Sequence, residues 1–183
     1  MLAEVGFAVA RIELPMTTAG TSRRSFLGVP VEGDVPPGEP RPVQRRLSDL
    51  EPALRAILAD DDILSFGWTQ YTPYFNDGER CVFGVNEPWF RTTADATRDE
   101  DDDDALALSV HPTLAPDRYD RVSGRFVPVE RDAETVDRHA RCQALADALA
   151  TGEFNDVLLD AFGDHAHVRI SRSGITVDEF MHN

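Results

Sequence analysis

Lysine is missing altogether from the 183 residues: all 18 basic side chains are arginine. That excludes a Schiff-base lysine and the phosphate-binding lysine of a P-loop. Basic residues are also few beside the 33 acidic ones. The resulting net charge of −15 opposes direct nucleic-acid binding, because phosphate recognition needs a positive surface. Cysteine is scarce, with Cys81 and Cys142 alone. Two are too few for a bridge-dependent secreted scaffold and favour a reducing, cytoplasmic setting. No apolar run approaches the roughly 18 residues of a membrane helix, so no membrane partner is expected. Gly-x-Ser-x-Gly, His-Glu-x-x-His, Walker and dinucleotide fingerprints are all absent. The chain therefore leans away from familiar enzymes, and no cofactor is expected. Ser22-Arg23-Arg24-Ser25-Phe26-Leu27-Gly28 has the look of a twin-arginine signal, but Val29 to Asp34 supply no apolar run to complete it.

What is present suffices for a core: 42% hydrophobic against 28% charged residues. Aspartate outnumbers glutamate, which together with the missing lysine points to coding bias or a saline interior before it points to function. The first 46 residues hold six of the 12 prolines and five of the 12 glycines. Residues 1–46 accordingly read as an extended arm or linker, with Met16 an alternative start to Met1, and residues 47–183 as a single domain.

The domain reads as α+β: a mostly antiparallel sheet with a central β-hairpin, flanked by an N-terminal helix and two C-terminal helices. Leu47, Leu50, Leu54, Ile57 and Leu58 recur at helical spacing, and Ser48 with Glu51 fits a capping box. From Ile63 the period falls to two. Leu64, Phe66 and Trp68 alternate with small polar residues, Asn76-Asp77-Gly78 suits a tight turn, and Cys81, Phe83 and Val85 alternate again. Residues 92–104 contain no apolar side chain larger than alanine and end in six consecutive carboxylates, Asp99 to Asp104, which predicts a flexible, solvated acidic loop. Asp60-Asp61-Asp62 is read the same way. Leu106, Leu108 and Val110, then Val122 and Phe126 to Val129, extend a strand meander. Helices are expected over 135–149 and 154–161, ending at Gly152 and Gly163. A closing hairpin runs from His165 through Ser171-Arg172-Ser173-Gly174 to Val177.

The words Trp68-Thr69-Gln70-Tyr71-Thr72-Pro73-Tyr74-Phe75-Asn76-Asp77-Gly78-Glu79, followed by Cys81 and Phe83, resemble a motif shared by a group of bacterial and phage-encoded proteins without an assigned activity. Phe162-Gly163-Asp164-His165 and Ser173-Gly174-Ile175-Thr176-Val177 are similar to the close of the same group. The resemblance covers residues 47–183 and implies a shared fold; it brings no catalytic residue.

Seven of the fifteen aromatics lie within residues 68–90. Amphipathic rings with polar handles are typical of recognition hot spots. The candidate binding residues are Trp68, Gln70, Tyr71, Tyr74, Phe75, Asn76, Asp77 and Trp89, and the competing reading makes them the packed face of the hairpin. His165 and His167 share one face of a strand beside Asp164, a candidate metal group that still needs further ligands. Cys142 with His139 spans one helical turn, a spacing that suits a packed face better than a catalytic dyad. The expected function is a non-enzymatic acidic protein-interaction module whose charge attracts a basic protein partner. The alternatives are a metal-assisted enzyme around His165 and His167, or a structural subunit of a phage-related assembly.

Overall fold

The computed structural model describes residues 25–26, 29–30, 41–74, 78, 81–99 and 103–181. Phe75, Asn76, Asp77 and nearly all of the arm lie outside these residues. Two compact units are present, residues 1–39 and 40–183. In the first, strands β1 (Ser25–Phe26) and β2 (Val29–Pro30) pair antiparallel.

The second unit is α+β, in the order expected. Helix α1 (Leu47–Leu58) is followed by β3 (Ile63–Tyr71), β4 (Gly84–Val85), β5 (Trp89–Thr92), β6 (Asp117–Asp120), β7 (Arg125–Pro128), α2 (Ala133–Ala150), α3 (Asn155–Phe162), β8 (Ala166–Ser171) and β9 (Gly174–Glu179). The main sheet runs β4-β3-β8-β9, with β5 also on β3, and every pairing is antiparallel. Strands β6 and β7 make a separate hairpin on which Tyr119 and Phe126 are exposed.

Alternation sorts the sheet into two faces. Phe66, Trp68, Val168, Ile170 and Ala166 pack with Leu50 and Ile57 of α1, Cys142, Leu145 and Leu149 of α2, and Leu158 of α3 in one buried cluster. The alternating residues Thr69, Tyr71, His167 and Arg169 are only partly buried. Gly67 belongs with the latter and is obligatory there. A Cβ on it would lie 2.0 Å from Val168 O and 2.7 Å from Trp89 Cζ2, so the Trp89 indole rests on bare backbone.

Several local expectations change. Helix α1 starts at Leu47 with Arg46 at its N-cap and no side-chain cap, so the Ser48–Glu51 box does not form; Leu47 is exposed and Pro52 sits within the helix. Helix α2 is capped instead by Asp132, whose carboxylate accepts from Thr135 N at 2.7 Å. Leu106 and Leu108 reach the core from two 3-10 turns, not a strand. There the backbone turns on itself, with Leu106 N donating to Asp103 O and Val110 N to Ala107 O, and only one antiparallel bridge, Ala107 to Trp89, joins it to β5. Val122 lies in the β6–β7 turn.

The acidic segments are not uniformly solvated. Asp95 is buried and accepts from Thr92 N at 3.1 Å and Thr92 Oγ1 at 2.6 Å. The buried Arg91 guanidinium donates to the carbonyls of Asp95, Arg98 and Asp99, fastening residues 95–99 to the sheet. Asp60 is also inside, paired with Arg138 at 3.0 Å and with Arg141, while Asp61 alone of that triplet is fully exposed. Arg138 binds Asp62 as well, at 2.6 Å, tying the end of α1 to α2. Burial makes these carboxylates pairing partners, which a charge run read alone does not reveal. Residues 41–46, counted with the arm, are held to the domain through Arg45 N to Glu153 O at 2.7 Å and Gln44 Nε2 to Gly152 O at 2.9 Å.

Candidate functional site

Of the aromatic motif, Trp68, Gln70 and Trp89 are withdrawn from the surface. Trp68 and Gln70 point into the helix side of β3. The indole Nε1–H donates to Gln70 Oε1 at 3.0 Å, and the Gln70 amide donates to Leu158 O and Gly163 O, at 3.1 and 2.6 Å. Those carbonyls belong to α3 and its Gly163 C-cap, so the pair satisfies a buried helix end. These are folding residues, because a buried amide with every hydrogen bond taken offers nothing to a partner. Trp89 is covered beside Gly67.

Tyr71 and Tyr74 have the other fate. Tyr71 follows Gln70 and so faces the side away from the helices, where the β3–β8 register sets it across from His165, and Phe180 N donates to His165 O at 2.7 Å. A row of rings results: Tyr71 lies 6.2 Å from His165 and 5.5 Å from Phe180, and Tyr74 stacks on His165 at 4.7 Å with planes 16° apart. Tyr74 is 74% exposed. His165 has φ 54°, the only positive φ among the described non-glycine residues. Asp164 holds it there, its Oδ1 accepting from His165 N at 2.8 Å and from Thr72 N at 2.7 Å. Burial pushes the Asp164 carboxyl up, yet those donors keep it below the usual carboxylate value. A left-handed histidine costs on the order of 1 kcal/mol, and such strain concentrates at functional positions.

The next rows of the same face are polar. His167 Nε2 lies 3.0 Å from Asp103 Oδ2, and Arg169 Nη2 lies 3.6 Å from that oxygen. The Arg169 guanidinium also lies over the Trp89 ring, 5.4 Å from its centroid. Burial outweighs the attraction of Arg169, His167 and Arg91 and raises the Asp103 carboxyl above its ordinary value. Asp103 therefore lies against His167 and Arg169, the polar rows next to the aromatic one. Exposed Asp178 pairs with His167 in register from β9.

No known protein family, curated protein or solved structure matches this chain.

The expected metal group does not assemble. Asp164 is used by backbone donors, His165 stacks between tyrosines, and His167 turns to Asp103. Among the described residues no three His, Cys, Asp or Glu side chains form a metal-binding group. Cys142 is equally unsuited to chemistry: it lies in the core, and burial, with the nearby Asp60 charge, pushes its thiol up to about 12. The cleft of about 310 Å³ beside Cys81, lined also by Arg41, Gln44, Thr72 and Asn155, includes no histidine in its lining. No described helix is long and apolar enough to cross a membrane.

Sequence reasoning missed Phe180, Asp103 and Arg169 as members of the site. The alternation of His165, His167 and Arg169 signals a shared face for Arg169. Phe180 and Asp103 carry no local signal, because each reaches the site through pairing with sequence-distant residues.

Proposed function

We propose that this chain is a non-enzymatic, acidic protein-interaction module that captures an arginine- or lysine-bearing segment of a partner protein on the Tyr71–Tyr74–His165–Phe180 row. The observation that carries this reading is the Tyr74 ring, 74% exposed and stacked on a strained His165. Charge supports it. Asp103 lies on this face against His167, Asp178 borders it, and the molecule as a whole carries −15. Such a field accelerates encounter with a basic partner, and cation–π stacking then contributes about 0.5–2 kcal/mol per contact. The motif resemblance is compatible with this role and does not select the partner.

Calorimetric titration with a synthetic arginine-rich peptide tests the proposal. Saturable binding that weakens at high salt is expected, lost by about tenfold in Tyr74→Ala while the thermal melt stays unchanged. An acidic peptide of equal length should not bind. Absence of saturable binding to the basic peptide at low salt, or equal binding by Tyr74→Ala, overturns it.

A further inference from the structure

Strand β9 ends the main sheet, and among the described residues no strand pairs with its outer side. All six of its residues are exposed. Ile175 and Val177 belong to the helix-side face through their partners Ile170 and Val168, yet they are 54% and 45% exposed. Natural edges are blunted by proline, lysine or bulges. Gly174–Glu179 has no proline and its register with β8 is unbroken; its charges, Asp178 and Glu179, are confined to its C-terminal end.

The phase of the ladder decides which groups are open. Phe180 N bonds His165 O, so in an antiparallel pair residues 178, 176 and 174 direct N–H and C=O toward β8, while Ile175, Val177 and Glu179 direct theirs outward. We propose that this edge pairs antiparallel with the same edge of a second copy of the chain, about a twofold axis through Thr176.

The register follows from pleat and charge. A twofold axis normal to the sheet keeps both copies' faces on the same side, and directly opposed residues point the same way. The axis must therefore pass at a residue, not between two. Centred on Thr176, Ile175 opposes the second copy's Val177 in a hydrogen-bonded pair, and the reciprocal contact repeats it. Asp178 then opposes Gly174, and Glu179 opposes Ser173. Centring on Val177 would set Ile175 against Glu179, and centring on Asp178 would set two aspartates together. Only the Thr176 axis pairs the two apolar residues and keeps every carboxylate away from another carboxylate and from an apolar side chain over five paired residues. The result is one continuous sheet through both molecules. It leaves the Tyr71–Tyr74 row on the face of each copy, so this inference does not depend on the partner reading above.

Light scattering and oxidative crosslinking of the full chain test it. The mass should rise with concentration toward twice the 20.3 kDa of one chain. In a Cys81→Ser background, Thr176→Cys should form a disulfide-linked dimer under mild oxidation. Non-hydrogen-bonded partners have Cα atoms about 4.5 Å apart, within the roughly 4.4–6.8 Å that a disulfide spans. Val177→Pro removes an outward N–H and leaves the β8 ladder intact, a place where an edge strand tolerates proline. It should abolish the mass increase at unchanged far-UV circular dichroism. A single-chain mass at all concentrations without a Thr176→Cys crosslink overturns the proposal, as does a crosslink that forms more readily at Val177→Cys.

Discussion

The indole of Trp68 donates to the side-chain oxygen of Gln70, two residues along the same strand face, and Gln70 spends its amide on the end of α3. The most distinctive words of the sequence thus join β3 to a helix that begins 84 residues after Tyr71.

Gln70→Leu should destabilise the fold by about 2–4 kcal/mol, since it strands a buried indole N–H and removes the amide that ties β3 to the end of α3. Urea denaturation reads this as a lower midpoint at unchanged slope. A change below about 0.5 kcal/mol would mean that the indole N–H finds water instead.

Gly67→Ala should cost a similar amount, about 2–4 kcal/mol. The new methyl meets a carbonyl and an indole ring, neither of which can yield without moving β8 or Trp89. Near-UV circular dichroism should register the displaced Trp89 ring even where far-UV signal is retained.

The two cysteines should differ sharply toward a thiol reagent. With its thiol raised to about 12, Cys142 is ionised to roughly one part in 10⁴ at pH 8, and it is buried besides. One equivalent, from the partly exposed Cys81, is expected to react in the native state, and the second only with unfolding. Rapid reaction of both would show that the α2 packing opens.

Acid should weaken the α1–α2 junction. Burial raises the Asp60 carboxyl, but hydrogen bonds from Arg141, the Asp62 amide and Arg138 outweigh it and leave the group below its ordinary 3.8. A depressed pKa means stability that is present above the unfolded value and lost as pH falls through the folded one. Between about pH 5 and pH 2 the wild type should lose stability more steeply than Asp60→Asn. Arg138→Met should cost about 1–3 kcal/mol at pH 7, because it removes one of the two guanidiniums on the Asp60 carboxylate and leaves Arg141, and less at low pH, where that carboxylate is protonated. Thermal melts across pH check both.

Element order and type were legible in the residues. The period of 3.6 in 47–58, the period of 2 in 63–71 and 166–171, and the glycine at 163 are local signals of local geometry. Where local signal misled, a long-range partner was responsible. Leu106 and Leu108 alternate as a strand would, yet the segment makes only a single bridge, Ala107 to Trp89, and otherwise turns as 3-10 helix. Asp60 and Asp95 sit in charge-rich stretches that read as solvated until Arg138, Arg141, Thr92 and Arg91 are brought to them. The site split along the same line. Strand alternation alone places Tyr71 opposite in face to Gln70, but whether that face was sealed depended on what packed over it.

The composition alone excluded lysine chemistry, and periodicity alone specified an α+β chain with an antiparallel sheet, because residue content and backbone periods are properties of the linear sequence. Which aromatics are buried, where Asp103 lies and which strand is left at an edge were decided only in three dimensions. Burial and pairing depend on segments far apart in the chain, and the free energy that places them is spread over the whole core.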